Sequence, residues 1–112
     1  MILLHGVNQE ALAIEFRRRN IPFEQEKELW IRYKSEYLKK RYYADFVCYE
    51  KIIVESKALP KFQPGNEAQA LNYLYATEHK LGLLFNFGSW QLGIKRVVNL
   101  DGKMKMPAKG II

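Results

Sequence analysis

Three charged residues stand in stretches that are otherwise apolar. The segment from Ala44 to Lys57 reads A-D-F-V-C-Y-E-K-I-I-V-E-S-K, with Asp45 near the start of one strand-like run and Glu55-x-Lys57 closing the next. Buried charge is costly unless it is paired or holds a metal. Side chains alternate along an extended strand, so Ala44, Phe46 and Cys48 are expected on one face, and Asp45, Val47 and Tyr49 on the other. Glu55 and Lys57, two apart, share a face of the following strand. A hairpin through Tyr49-Glu50-Lys51 that sets them beside Asp45 gathers two carboxylates and an ammonium. Carboxylates that close repel unless one is protonated or a divalent cation joins them. Oxygen donors suit Mg2+ or Mn2+, which keep water and take further oxygens from a phosphate. The competing reading is a Glu55/Lys57 or Asp45/Lys57 ion pair on a solvated edge. The flanking F-V-C and I-I-V runs weigh against it.

The elements that must position these residues follow from pattern and punctuation. From about Val7 to Arg19 the chain is rich in helix formers and ends in arginines, which suit a helix C-terminus. Asn20 and Pro22 stop that helix. Phe23 to Tyr33 alternates in part, with Leu29, Ile31 and Tyr33 on one face, and predicts a half-exposed strand. Lys34-Ser35-Glu36 reads as a hairpin turn lacking the usual Asn-Gly or Asp-Gly pair. Strands over about Tyr42–Tyr49 and Lys51–Ala58 are nearly continuous apolar runs, as expected at the centre of a sheet covered on both faces. Pro60, Pro64 and Gly65 mark a loop, and Ala68, Leu71, Leu74 and Tyr75 fall at helical spacing in a helix from Asn66 to about Thr77. Leu81–Phe87 is another buried strand. Gly88-Ser89 turns into a last strand ending near Asn99. The order helix, three strands, helix, two strands predicts an α/β fold: a mixed central β-sheet flanked by helices, with the second helix as a crossover. Residues 1–100 form one domain in this reading, and residues 101–112 a mobile basic tail.

Composition narrows the function classes. At 112 residues, with 48% hydrophobic and 27% charged, the chain has the make-up of one small globular domain. No apolar run approaches a membrane span, and Met1-Ile2-Leu3-Leu4 is too short for a signal segment, so a cytoplasmic location is expected. A lone Cys48 excludes an internal disulfide and a cysteine-based zinc cluster within one chain, and fits a reducing compartment. His5 and His79 lack a second His or Cys at ligand spacing and read as structural or surface residues. Ser35, Ser56 and Ser89 lack a nucleophile-elbow context. A net charge of +6 favours an anionic partner, although a small domain also carries such charge for solubility. Arg17 to Arg19, Lys39 to Arg41 and Lys95-Arg96 are the basic runs that suit phosphate contacts; each is otherwise a solvated face. Trp30, Tyr33, Tyr37 and Trp90 are of the type that stacks on unpaired bases or packs a core.

The A-D-x(9)-E-S-K pattern resembles the PD-(D/E)XK nuclease superfamily, with Ala44 in place of the proline. Gln69-Ala70-Leu71-Asn72-Tyr73 then resembles the Q-x-x-x-Y motif of its RecB-type branch, and puts Gln69 and Tyr73 one helical turn apart on one face. More narrowly, A-L-A-I-E-F, I-P-F-E, Y-x-A-D-F-V, I-I-V-E-S-K-A-L, E-A-Q-A-L-N-Y-L-Y-A-T, L-G-L-L-F-N-F-G and K-R-V-V-N are similar to the GxxExxY family of that superfamily, from about Asn8 to Asn99. Ile2, His5 and Asn8 stand where that family's naming motif has Gly, Glu and Tyr, and a further N-terminal helix usual in the family does not appear.

The resemblance implies a restriction-endonuclease-like core and a nuclease that hydrolyses phosphodiester bonds of nucleic acid, DNA first, with Mg2+ or Mn2+. Carried over, Asp45 and Glu55 ligate the metal, Lys57 polarises the attacking water or stabilises charge on the phosphate, and Gln69 and Tyr73 orient the site or substrate. Glu10, on the first helix, is a further ligand in this reading. Arg17, Arg18, Lys39, Lys40, Arg41, Lys95 and Arg96 are its nucleic-acid contacts. The altered N-terminus motivates an alternative: a catalytically impaired domain of the same fold that binds nucleic acid or regulates a partner. Loss of an N-terminal helix also exposes apolar surface that a second copy, in a homodimer, would cover.

Overall fold

Each helix of this protein is stopped by a device visible in its backbone. A computed structural model describes residues 5–88 and 91–105. Helix α1 (His5–Arg18) ends with Asn20 in the left-handed region, φ 56°, and the Ile21 N–H returns to the Phe16 carbonyl at 2.8 Å. That six-to-one bond is a Schellman closure, and Arg17 and Arg18 sit in the last turn, where the helix dipole favours cations. Helix α2 (Pro64–Thr77) starts with proline at its first position, and Asn66 Oδ1 accepts the Gln63 N–H at 2.6 Å. It ends at Glu78, again left-handed, φ 60°.

The strands are β1 (Phe23–Tyr33), β2 (Glu36–Cys48), β3 (Ile52–Lys57), β4 (Leu81–Asn86) and β5 (Gly93–Val98), paired in that spatial order in one five-stranded sheet. β1, β2 and β3 form an antiparallel meander, α2 crosses over so that β4 runs parallel to β3, and β5 returns antiparallel. The α/β fold and the element order are those expected from the sequence. β2 begins at Glu36, six residues before the expected Tyr42, because Glu36 and Tyr37 already pair with Tyr33 and Arg32 of β1; the register shifts between there and Trp30↔Arg41, around Lys39 and Lys40. Tyr49 and Glu50, both with φ above 50°, make the β2–β3 turn, closed by Lys51 N–H to Cys48 O at 3.0 Å.

Two cores lie on opposite faces of the sheet. Under α2, Leu29, Ala44, Val47, Ile53, Leu84 and Val97 pack with Leu74. Under α1, Phe46, Cys48 and Val54 pack with Leu12, Ala13 and Phe16, and the rings of Phe16, Phe23 and Phe46 meet at 5.2–5.6 Å. Such aromatic pairs each contribute about 1 kcal/mol beyond burial. No helix among the described residues is long and apolar enough to cross a membrane.

One expectation is overturned here. Ala44 does not share a face with Phe46 and Cys48: Ala44 packs under α2, whereas Phe46 and Cys48 pack under α1. β1 shows the same exchange, with Leu29 under α2 and Phe23 against the α1 core. The physical reason lies at Glu26, in the left-handed region at φ 51° and set between the Gln25↔Phe46 and Lys27↔Ala44 pairs, the gap in the β1–β2 register that also holds Asp45. A left-handed residue inside a strand breaks strict alternation. Asp45 therefore sits where the hairpin exchanges its faces.

Beyond β5, the first residues of the expected tail are tied back: Asn99 Nδ2 donates to Lys103 O, and Lys105 Nζ donates to Asn99 Oδ1. Residues 106–112 lie outside those described.

Candidate active site

Pairing between β2 and β3 stops at Phe46↔Val54, one step short of Asp45 and Glu55. Released from the ladder, the two residues bond each other's strands through side chains. Asp45 Oδ2 accepts the Ser56 N–H at 2.8 Å and the Ser56 hydroxyl at 3.1 Å, while the Asp45 N–H donates to the Glu55 carboxylate. The lost backbone partners are thus replaced, as buried polar groups require. Asp45 is buried, 7% exposed, and its Oδ1 accepts Gln9 Nε2 from α1 at 2.7 Å. The same Nε2 donates to Glu26 Oε1 at 2.8 Å. One amide thus ties together the two residues at which the hairpin exchanges faces.

Glu55 looks the other way. It lines a cleft of about 170 Å³ under α2 with Tyr42, Lys57, Asn66, Gln69 and Tyr73. The Tyr42 hydroxyl donates to Glu55 Oε1, and the Tyr42 ring stacks on Tyr73, centroids 3.9 Å apart and planes within 11°. Burial pushes the Glu55 carboxyl up to about 7; the Lys57 charge and the Asp45 N–H oppose that rise, and the Glu26 charge adds to it. Lys57 ends β3, and the chain beyond it is pinned. Asn86 accepts the Leu59 N–H at 2.9 Å and donates to Leu59 O at 3.0 Å, and Phe87 N–H reaches Lys57 O at 2.8 Å. Gly88 is required there, since a Cβ would lie 2.1 Å from the Leu59 nitrogen.

Of the residues expected at the site, Glu55, Lys57, Gln69 and Tyr73 meet in one cleft, and Asp45 adjoins Glu55 across the strand boundary. Glu10 is exposed, and its neighbour Gln9 is the α1 residue that reaches Asp45. The side chain of His5 and all of Ile2 and Trp90 lie outside the described residues. The basic residues are dispersed. Arg17 and Arg18 are exposed at the far end of α1, and Lys95 pairs with Glu67 of α2 at 2.7 Å. Arg96 is exposed on β5, and Lys39, Lys40 and Arg41 lie on the distal part of β2. Sequence reasoning missed Gln9, Glu26, Tyr42 and Ser56. Only Tyr42 had a legible signal, standing three residues before Asp45 in the Y-x-A-D segment.

Asp45 and Glu55 are oxygen donors of the kind a hard divalent cation takes, with Asp45 facing α1 and Glu55 facing the α2 cleft. Burial, more than any charge, holds the Glu55 carboxyl above the usual carboxylate range, and Lys57 and the Asp45 N–H oppose that rise. Among the described residues no three His, Cys, Asp or Glu side chains converge as a cage. Two carboxylates suffice for Mg2+, which usually keeps several waters and binds through one or two carboxylates plus substrate phosphate.

The fold has a solved counterpart. The crystal structure of SSO0001 superposes with a TM-score of 0.66 at 18% sequence identity, covering 87% of this chain and 52% of that one. This chain thus spans about half the length of that relative. No curated protein matches the sequence. Residues 1–97 match the PD-(D/E)XK nuclease superfamily, and a match over that much of the chain makes this protein a member of it.

Proposed function

We propose that this protein is a divalent-metal-dependent nuclease that hydrolyses phosphodiester bonds of DNA. The observation that carries the reading is the junction of β2 and β3, where Asp45 and Glu55 bond across the strand boundary and Lys57 shares the Glu55 cleft. Asp45 and Glu55 would hold Mg2+ or Mn2+, whose chemistry there is Lewis acidity toward the phosphate and acidification of a water. Lys57 brings a fixed positive charge to the point where negative charge develops on the phosphate. Tyr42, stacked on Tyr73, fixes one Glu55 oxygen, and Gln69 at the rim orients what enters the cleft. Gln9 holds Asp45 in place from α1. Membership of the GxxExxY branch belongs to the same proposal, supported by the segments from Asn8 to Asn99. So does a cytoplasmic location, supported by a single, buried, free cysteine, Cys48.

The test is cleavage of single-stranded and duplex DNA with Mg2+ or Mn2+. Activity is expected in the wild-type protein and lost in Asp45→Ala and Lys57→Ala variants with unchanged circular dichroism. Wild-type protein that binds the metal yet cuts no nucleic acid would turn the assignment toward a binding or regulatory domain of the same fold.

A further inference from the structure

The distal half of the β1–β2 hairpin carries a set of residues that no core uses. Leu29 and Tyr42 pair across the strands and face α2. Their neighbours Trp30 and Arg41, also a cross-strand pair, therefore face the other side of the sheet, and so does Tyr43, paired with Glu28. On that side lies α1, whose described contacts with the hairpin are at Phe23, Glu26, Asp45 and Phe46. Trp30, Tyr37 and Tyr43 are left 55%, 56% and 55% exposed.

These rings are ordered rather than scattered. Trp30 and Tyr37 meet edge to face at 5.4 Å, and the Arg41 guanidinium lies 4.3 Å from the Trp30 ring centre. Arg41 is fixed in turn by Leu38 O, by Lys39 O at 3.0 Å and by Glu28 at 3.4 Å. Local charge is net positive: between Trp30 and Tyr43 stand Arg32, Lys34, Lys39, Lys40 and Arg41 against Glu36, with Arg41 also paired to Glu28 and Arg32 to Glu78. Asp45 turns its carboxylate to the same side of the sheet, toward Gln9 of α1. At the rise of an extended strand, Arg41 and Asp45 are roughly 13 Å apart along β2.

We propose that the Trp30–Tyr37–Arg41 face, continued by Tyr43, is a stacking platform for single-stranded nucleic acid, which it leads toward Asp45. The chemistry recognised is an unpaired base on a phosphodiester backbone. Aromatic faces stack on any unpaired base, and cations follow the backbone without reading sequence. A duplex buries its base faces and offers this surface only phosphates, so the rings add nothing to duplex binding. The proposal rests on the nuclease reading for what happens at Asp45, but the binding surface is separately testable.

The experiment is fluorescence anisotropy of short labelled oligonucleotides in EDTA, so that nothing is cut, with single-stranded oligo-dT, single-stranded oligo-U and a DNA duplex as arms. Wild-type protein is expected to bind a single strand at least about tenfold tighter than the duplex, and the two single-stranded arms separate DNA from RNA as its source. Trp30→Ala and Tyr43→Ala should each weaken single-strand binding about tenfold and leave duplex binding unchanged. Trp30→Phe, which keeps a ring, should restore most of the loss. Because Trp30 also bridges the hairpin, Tyr43→Ala serves as the variant that leaves the Trp30–Tyr37–Arg41 cluster intact. Equal binding of single strand and duplex by wild-type protein overturns the platform, as does unchanged single-strand binding in both alanine variants. The nuclease reading fails by a different result: ring-dependent single-strand binding with no cleavage under any divalent metal.

Discussion

Asp45 and Glu55 adjoin across one strand boundary, yet opposite means hold them. Asp45 faces α1 and accepts from a backbone amide, a serine hydroxyl and a glutamine, all in fixed structure. Glu55 faces α2 and meets a phenol, an ammonium and the open volume of a cleft. One is an anchor whose donors belong to the fold. The other is buried enough that its carboxyl titrates at about 7, well above the usual carboxylate range. Enzymes often set two carboxylates in unlike environments to give them unlike roles.

The largest expected effect tests the shared part of the pair. Asp45→Ala and Lys57→Ala should each lower the metal-dependent cleavage rate roughly 10²–10³-fold. The comparison predicts a split in stability: Asp45→Ala strands the Ser56 amide and costs about 1–3 kcal/mol in urea unfolding, whereas Glu55→Gln costs little. Equal losses would erase the distinction.

A second effect concerns pH. Because folding raises the Glu55 pKa from 4.5 to about 7, the folded metal-free protein holds this proton more tightly than the unfolded chain. The stability it contributes is complete below about pH 4.5 and is lost as pH rises through about 7, a change of about 3 kcal/mol. Glu55→Gln should flatten that slope, and Mg2+ should reverse it above pH 7; thermal melts across pH with EDTA or Mg2+ measure both. A third, smaller effect isolates the α1 side: Gln9→Ala should weaken Mn2+ binding by roughly tenfold in calorimetry, by freeing Asp45 Oδ1 and Glu26 together.

The smallest effect is one of stability alone. Asn8 in α1 is fully buried, and among the described residues its Nδ2 and Oδ1 have no hydrogen-bond partner. Asn8→Leu should raise stability by about 1 kcal/mol, a melting shift of several degrees, without changing Mn2+ affinity.

What the sequence disclosed follows from the kind of signal each residue carries. The strands were legible because Phe46, Val47 and Ile52–Val54 are apolar runs, and Glu55, Lys57, Gln69 and Tyr73 because a strand and a helix give fixed periods. The exchange of faces at Asp45 was not legible. It depends on the backbone of Glu26, and no residue type announces a left-handed glutamate inside a strand. For the same reason the α1 contact went to Gln9 rather than Glu10: a one-residue difference in helix phase turns a side chain by about 100°, finer than an apolar pattern of modest amphipathicity can fix. Tyr42 had a signal in the Y-x-A-D segment but not its role, which comes from its hydroxyl on Glu55 and from a Tyr73 ring that α2 brings from thirty-one positions later in the chain.

Asn86 accepts the Leu59 N–H and donates to the Leu59 carbonyl and, with the Phe87 N–H on the Lys57 carbonyl, ties the end of β3 to the end of β4. Mechanically, the two strand ends form one plate. The Lys57 backbone is thereby tied to β4, while the remaining cleft walls come from separate elements: α2, which carries Gln69 and Tyr73, and the β1–β2 hairpin, which carries Tyr42.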